Sequence, residues 1–485
     1  AGAAYHLGRF SARAFSILQK SDPGDDRHRT RIEQVLAHLI LRRFERIDQS
    51  IHEALSSDER SDEALIGRLQ DDEDRLDEAG LMHLAMTENY FRSVASFVYA
   101  LRMGAVSDVE NAKAGLKNGE TFCLQNGFVA DWWVNRVTRH LLDDLWQHSL
   151  RRLLPREPDV GSDWNRLRAT FIALLASRKL AEVELWPSQL GLTDRLMNER
   201  DDLVASLPTS AGKTRIAELC ILRCLASGKR AVFVTPLRSL SAQTERTLRR
   251  TFRPLGFDVS SLYGSAGASS GDVDSLGNRH VVVCTPEKLD FALRNDAELF
   301  DDVGLVVFDE GHMLGPHDRG LRYEVLVQRL LRRADQADRR VVCLSAMLPD
   351  GEQEDDFVAW LRSGVEGKPL KGAWRPTRQR FGSIRFDERR NTFRYQVTVE
   401  DQESFVLDFV QPKSWLGPKK GEKHFPTTSA ELCLAAALRL ADDGHSVLIY
   451  CPLKKSVRAL AKRFAQLQKE KAVKGLEIDL SLIHI

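Results

Sequence analysis

Residues 203–214 read LVASLPTSAGKT, and this stretch decides the fold. An apolar run of strand length leads into a turn of small residues, and a helical pattern follows until Gly228. A strand, a tight turn and a helix N-terminus in this order direct several backbone N–H groups to one point, which makes a site for phosphates. The pattern GxxxxGK[ST] is met except at its first glycine, where Leu207 stands.

This loop predicts a nucleotide site. Lys213 is expected to reach the β- and γ-phosphates, and the Thr214 hydroxyl to bind Mg²⁺. A GKT triplet also occurs by chance in loops, but the strand before it and the helix after it argue against that alternative. The residues expected to line the nucleotide are Leu207, Pro208, Thr209, Ser210, Ala211, Gly212, Lys213 and Thr214.

A second motif lies downstream, where residues 305–312 read LVVFDEGH. An apolar strand here delivers two adjacent carboxylates to its carboxyl end. Asp309 is the candidate Mg²⁺ ligand, and Glu310 the group that orients and deprotonates the attacking water. Two carboxylates at a strand tip can also be a solvated turn. The phosphate loop upstream, at the separation that such folds require, favours the catalytic interpretation.

Five apolar runs between residues 181 and 372 alternate with helical stretches. Continuous runs of this kind predict an α/β fold with a parallel sheet covered on both faces. Ligands bind at the carboxyl ends of such strands, and nearly every run here is followed by polar residues. The sequence therefore predicts several polar sites along one sheet edge, after the strands 202–207, 231–235, 280–285, 304–308 and 340–345.

These motifs together resemble a superfamily 2 helicase of the DExH type, most closely its superkiller-like branch. Residues 208–214 resemble motif I, and 309–312 (DEGH) motif II. Residues 345–347 read SAM where motif III usually reads SAT. The remaining similarities are WPSQ at 186–189 with the adenine-reading glutamine region, TPLRSL at 235–240 with motif Ia, TPEKLD at 285–290 with motif Ib, and SVLIYCPLKK at 446–455 with motif IV.

The resemblance implies ATP and Mg²⁺ as cofactors, and ATP hydrolysis coupled to movement along a single-stranded or partly duplex DNA or RNA. It places Gln189 on the adenine base. It implies that ATP binding is coupled to strand binding through His312, Ser345, Ala346 and Met347. It also implies that Arg238, Thr285, Lys288 and Arg319 contact the nucleic acid. The alternative for Arg238, Lys288 and Arg319 is that each is a surface charge.

The same reasoning divides the chain into segments. Residues 1–180 are expected to be a helical N-terminal region of unknown role that the resemblance does not cover. Residues 181–372 are expected to be a first RecA-like domain, and 373–479 a partial second one. Within the second, strands are expected at 381–386, 392–399, 405–409 and 446–451, and helices at 429–442 and 456–468. Residues 480–485 (LSLIHI) are expected to derive from a sequencing adaptor. Motifs V and VI are not found, and we expect them beyond residue 485.

Composition limits the alternatives. Lys and Arg number 70 and Asp and Glu 69, so any nucleic-acid site must be a local patch. Seven cysteines without a CxxC pair favour a reduced, cytoplasmic protein, and no membrane span is expected. Two alternatives remain: a nucleotide- and nucleic-acid-binding module without effective catalysis, and another P-loop enzyme such as a kinase or transporter ATPase. The oligomeric state is not predicted.

Overall fold

The computed structural model describes residues 2–8, 11–20, 31–56, 78–262, 279–296, 298–314, 317–348, 351–376, 382–387, 392–397, 405–410, 428–442 and 446–469. The chain divides into two compact units, Ala1–Thr377 and Arg378–Ile485. No described helix is both long and apolar enough to cross a membrane. The domain boundaries expected from the sequence stay predictions.

The first part of the first unit is helical, as predicted. Its long helices pack around a core that contains Tyr90, whose hydroxyl shares a hydrogen bond of 3.0 Å with Thr138. Burial raises the pKa of Tyr90 well above its usual range, so the phenol stays neutral. The helices are α1 (Gly2–Leu7), α2 (Ser11–Lys20), α3 (Arg31–Ile40), α4 (Phe44–Ser56), α5 (Glu78–Met103), α6 (Val106–Asn126), α7 (Val129–Gln147), α8 (Leu150–Leu153) and α9 (Asp163–Ala176).

The second part of the first unit is a seven-stranded parallel sheet, in the order β3-β4-β2-β5-β6-β1-β7. Every residue of β4, β5 and β6 is buried, because helices cover both faces of the sheet. The strands are β1 (Leu203–Ser206), β2 (Arg230–Val234), β3 (Val259–Leu262), β4 (Val281–Cys284), β5 (Val303–Phe308), β6 (Arg340–Ser345) and β7 (Leu370–Lys371).

Five further helices cover the sheet. Leu219 and Leu248 on the first two of them lie in one hydrophobic core, and Leu289, Leu326 and Leu361 on the other three lie in a second core, on the opposite face. These helices are α10 (Lys213–Ala226), α11 (Arg238–Phe252), α12 (Pro286–Asn295), α13 (Asp318–Leu331) and α14 (Glu352–Leu361).

The helical region and the sheet share a core. Trp164 and Phe171 of α9 are fully buried in the same cluster as Ile216 of α10. The guanidinium of Arg223, also on α10, lies 5.5 Å from the Trp164 ring centroid, and that of Arg215 lies 5.6 Å from the Phe171 ring. The helix that follows the phosphate loop is therefore braced by the helical region.

The second unit contains a three-stranded antiparallel sheet in the order β10-β9-β8. The strands predicted near 381–386, 392–399 and 405–409 and the helix at 429–442 are confirmed. The strand predicted at 446–451 is wrong, because an extended segment becomes a strand only by pairing, and these residues pair with none of the described strands. The elements are β8 (Gly382–Asp387), β9 (Thr392–Val397), β10 (Phe405–Val410), α15 (Ser429–Asp442) and α16 (Lys454–Lys469).

Candidate functional site

The loops that follow five strands lie at one edge of the sheet. Strands β1, β2, β4, β5 and β6 are parallel, so their carboxyl ends meet there. The phosphate loop follows β1, and the two carboxylates follow β5. The polar segments after β2, β4 and β6 join them. The predicted convergence of polar residues at one edge is thus what the fold produces.

The phosphate loop has the backbone shape that an anion site needs. Ser210 has φ 67° and Gly212 has φ 86°, so the chain turns sharply before Lys213 begins α10. The side chains of Thr209, Ser210 and Thr214 are exposed. Backbone N–H groups at the start of α10 are consequently free of helical partners and available to phosphate oxygens.

Leu207 occupies the position where a glycine was expected. Its side chain is fully buried in the sheet core, and its backbone N–H donates to the carbonyl of Ser345 at 3.0 Å. Pro208 accepts a hydrogen bond from the N–H of Ala211 at 3.1 Å, which closes the turn. An apolar side chain therefore fits here because it points into the core and away from the loop.

Gln189 supports the phosphate loop from behind. Its Nε2 donates to the Gly212 carbonyl at 2.9 Å, and its Oε1 accepts from the Trp186 N–H at 2.8 Å. The side chain is only 3% exposed. Ser188 adds a second support, since its hydroxyl donates to the Ala211 carbonyl at 2.7 Å. The contact of Gln189 with an adenine base stays a prediction, whereas its support of the loop is visible.

Two tryptophans lie beside this support. The rings of Trp186 and Trp374 have centroids 5.5 Å apart at an interplanar angle of 56°. Trp186 is 36% exposed and Trp374 is half-buried. Sequence reasoning missed Trp374, because it lies 188 residues from Trp186 and no motif includes it. The pair offers an aromatic surface close to the start of α10.

The two carboxylates after β5 are held in a strained turn. Glu310 has φ 53°, and its N–H donates to Oδ1 of Asp309 at 3.0 Å. The Tyr323 hydroxyl donates to the Asp309 carbonyl at 2.9 Å and anchors the turn on α13. Burial, with the charge of Glu310, raises the pKa of Asp309 to about 6, against the opposing effects of the Glu310 N–H and the Lys213 charge.

This pair fits a divalent cation. Oε2 of Glu310 is buried and has no hydrogen-bond partner among the described residues, although Nδ1 of His312 lies 3.4 Å away. A buried, under-compensated pair of carboxylates attracts positive charge. No cluster of three or more His, Cys, Asp or Glu side chains that could hold a metal occurs in the described part of the chain. Mg²⁺ in proteins usually keeps waters and phosphate oxygens among its ligands, and its binding by Asp309 and Thr214 stays a prediction.

The segment after β6 contacts the phosphate loop through its backbone. The Ser345 carbonyl accepts from Leu207, and the Ser345 hydroxyl donates to the Met347 carbonyl at 2.8 Å. Ala346 is half-buried, and the Met347 side chain is 69% exposed. Motif III usually has threonine at the position of Met347, and this position faces solvent. The threonine hydroxyl that this chain lacks would therefore lie at the surface.

The four candidate nucleic-acid residues differ in exposure. Arg238 is exposed at the first residue of α11, while Lys288 is half-buried. Thr285 is 4% exposed, so its side chain offers little surface to a strand. Arg319 donates to Oε1 of Glu287 at 3.0 Å and also to the Pro236 carbonyl. Arg319 thus joins the loop after β2 to the first turn of α12, which sequence reasoning did not foresee.

Comparison with known proteins finds a family model that overlaps this site. Residues 186–355 match the family model described as DEAD/DEAH box helicase. This segment is similar to the helicase domains of that family. The matched range contains the phosphate loop, the carboxylate pair and the segment after β6, so the resemblance stated from the motifs is confirmed at the level of this family. The superkiller-like branch stays a prediction.

Individual relatives extend the comparison. The Hachiman protein HamB of Bacillus cereus is 29% identical over 402 residues, covering 81% of this chain and 35% of that protein. The ATP-dependent DNA helicase Hel308 of Pyrococcus abyssi is 31% identical over 221 residues, covering 43% and 28%. DNA polymerase theta of Drosophila melanogaster is 26% identical over 333 residues, covering 65% and 15%.

These alignments bear on the helical region as well. The chain spans about a third or less of the length of these relatives. The match to HamB covers more of this chain than residues 181–485 can supply, so it includes part of the helical N-terminal region. The helicase family match at 186–355 lies within the range expected from the motifs, whereas the alignment with HamB continues into the helical region. A helicase-domain motif search could not have found this continuation, since that region carries none of the nucleotide-site motifs.

Proposed function

We propose that the chain hydrolyses ATP and couples the reaction to movement along a nucleic-acid strand. The observation that carries this proposal is the convergence of the phosphate loop and the Asp309–Glu310 pair at one edge of a parallel sheet. Turnover needs both parts, because the loop positions the triphosphate and the carboxylates serve the metal and the water.

Each residue has a distinct task in this proposal. The N–H groups at the start of α10 and the Lys213 ammonium hold the phosphates. Glu310, with one carboxylate oxygen buried and without a hydrogen-bond partner among the described residues, orients the attacking water and takes its proton. Asp309 and Thr214 would hold Mg²⁺, which neutralises phosphate charge when bound. The Trp186–Trp374 surface is placed to contact the base.

The nucleic-acid strand would lie on the loops after β2 and β4. Arg238, the first residue of α11, is exposed there, and Arg319 joins the loop after β2 to the first turn of α12. Hydrogen bonds from such loops to backbone phosphates do not depend on the bases, so the domain should bind strands of any base sequence. We propose DNA as the strand, because the names of the Hel308 and polymerase theta relatives refer to DNA.

We also propose a cytoplasmic location. All seven cysteines are free thiols and five of them are buried. Cysteines that stay as free thiols are typical of proteins in a reducing compartment.

The test compares two variants with matched controls. Lys213→Ala should lose nucleotide binding and hydrolysis, whereas Glu310→Gln should bind a fluorescent ATP analogue and fail to hydrolyse ATP. Lys368→Ala and Glu352→Gln change the same residue types at exposed positions and should leave both measurements unchanged. ATPase rates are measured with and without added single-stranded DNA.

Three outcomes are informative. Loss of turnover in both variants, with binding kept in Glu310→Gln, supports the site. Near-normal turnover in either variant refutes it. Nucleotide and strand binding by the unsubstituted chain, without turnover under any condition, would favour the binding module as its function.

A further inference from the structure

A group of four arginines lies on the surface of the helicase domain away from the nucleotide site. Arg246, Arg249 and Arg250 lie near the end of α11, and Arg253 begins the short 3-10 turn after it. Their spacing of three and four residues puts them on one side of the helix. All four are exposed. We call these four residues the arginine face.

The arginine face lines a concavity of about 550 Å³. Its other lining residue is Pro254, and no carboxylate contributes to the lining. Arg246 donates to the carbonyl of Ala242 in its own helix, at 3.1 Å. Because that acceptor is neutral, the guanidinium charge of Arg246 is not balanced by this contact.

Among the described residues, Glu245 is the one carboxylate that pairs with a guanidinium of the arginine face. Arg249 pairs with Glu245 and also donates to the Val259 carbonyl at 3.1 Å. Arg250 and Arg253 make no hydrogen bond or ion pair with any side chain in the described part of the chain. Two charges of the arginine face are thus left to solvent or to a ligand.

The helix alone does not account for this arrangement. Cations at a helix C-terminus are stabilised by the macrodipole. Four like charges at spacings of three and four residues also repel one another. Every member is Arg, whose planar guanidinium forms paired hydrogen bonds with phosphate that Lys cannot form. The composition therefore fits a phosphate ligand better than a solvated helix side.

The arginine face is distant from the predicted strand site. Arg238 begins α11 at the sheet edge that carries the motif loops, and Arg250 lies 12 residues further along the same helix. At a rise of 1.5 Å per residue the separation is about 18 Å. At 3.4 Å per phosphate along one strand, about five nucleotides are needed to reach from Arg238 to Arg250.

We propose that the arginine face is a second contact for the phosphate backbone of nucleic acid, separate from the loops after β2 and β4. This proposal rests on the proposed function, since it assumes that the domain binds a strand. Its ligand is the sugar-phosphate chain, recognised through charge and paired hydrogen bonds and without base contacts. A strand longer than about five nucleotides could engage both places at once.

The test is the salt dependence of strand binding. Each phosphate contact contributes about 0.7 to the slope of log K against log[salt] for a single strand. Arg250→Gln/Arg253→Gln should therefore lower the slope by about 1.4, which is about a 25-fold loss of affinity at 0.1 M salt. Binding is measured by fluorescence anisotropy with a labelled single strand of about 30 nucleotides, well beyond the estimated reach.

The control removes the same charge elsewhere. Arg332→Gln/Lys368→Gln neutralises two exposed cations outside the arginine face and should leave the slope unchanged. ATP-analogue binding without nucleic acid should be the same in all variants, because neither pair touches the nucleotide site. Equal thermal unfolding curves exclude misfolding.

The failures are distinguishable. If the unsubstituted chain binds no strand, the proposed function fails. If it binds and Arg238→Ala weakens binding while Arg250→Gln/Arg253→Gln changes neither slope nor affinity, only the arginine face is refuted. An acidic protein as the true ligand would give this second result.

Discussion

Substitution of Gly212 tests the connection between Gln189 and the phosphate loop. Gly212 has φ 86°, and a Cβ built on it would lie 2.1 Å from Nε2 of Gln189 and 3.1 Å from the Trp186 ring. Gly212→Ala must therefore adopt a left-handed backbone and also displace the amide that donates to the Gly212 carbonyl.

The expected cost has two parts. The left-handed conformation costs about 1–2 kcal/mol for alanine, partly offset by the lower entropy of the unfolded chain. Displacing Gln189 leaves the Gly212 carbonyl and the Trp186 N–H without their buried partners, at about 1–3 kcal/mol. We expect Gly212→Ala to lower the free energy of unfolding by about 3 kcal/mol in total, and to weaken ATP binding because the loop changes shape.

Gly228 supplies the matched control. It has φ 73°, but an added Cβ would meet nothing within 4 Å. Gly228→Ala should therefore show the backbone part alone, about 1 kcal/mol. Denaturant unfolding gives the stabilities, and titration with a fluorescent ATP analogue gives the affinities. Adding Gln189→Ala to Gly212→Ala should relieve the clash and make the two substitutions non-additive. Equal losses in the two glycine variants would refute the reasoning.

Three further predictions concern charges near the sheet. Burial raises the pKa of Asp202 to about 6, so between pH 6 and 4 the folded state holds a proton that the unfolded state releases, and the contribution of Asp202 to the free energy of unfolding grows as the pH falls; Asp202→Asn should lose this contribution, so the difference in stability between the variant and the unsubstituted chain should change between pH 7.5 and 4.5 in denaturant unfolding. Asp201→Asn should instead lose about 3 kcal/mol at pH 7.5, because Asp201 accepts hydrogen bonds from Arg195 and Arg362 that hold its pKa low against the effect of burial. Arg319→Ala should weaken strand binding more than ATP binding, as measured by anisotropy and analogue titration; a larger effect on ATP binding would contradict its role between the loop after β2 and α12.

The apolar runs predict most of the sheet, because buried parallel strands must be apolar on both faces. The runs predicted at 202–207, 231–235, 280–285, 304–308 and 340–345 are confirmed as the strands β1, β2, β4, β5 and β6, with bounds that differ by one residue at most ends. Strand β3 was missed. Its sequence VSSL holds two serines, since it is the edge strand and its middle residues are only half-buried. A run that is polar in its centre gives no signal of a buried strand.

The site was predictable where the chemistry is local, and not where it depends on distant contacts. The phosphate loop and the Asp309–Glu310 pair are contiguous motifs whose strands fix their position. The supports are different. Trp374 reaches Trp186 across the fold, and Tyr323 reaches the Asp309 carbonyl from a helix. Nothing in the local sequence of either aromatic residue indicates its partner.

The loops at the sheet edge are joined to one another by hydrogen bonds as well as by their strands. Gln189 holds the phosphate loop at Gly212, and the same loop donates from Leu207 to Ser345 after β6. A phosphate that shifts the loop would therefore move the segment after β6 through a backbone contact, which substitution of a side chain cannot remove. Methionine in place of threonine at position 347 leaves this contact intact, because the Ser345 carbonyl carries it. If the proposed coupling operates, we expect it to depend less on the residue at 347 than on the packing that keeps Leu207 buried.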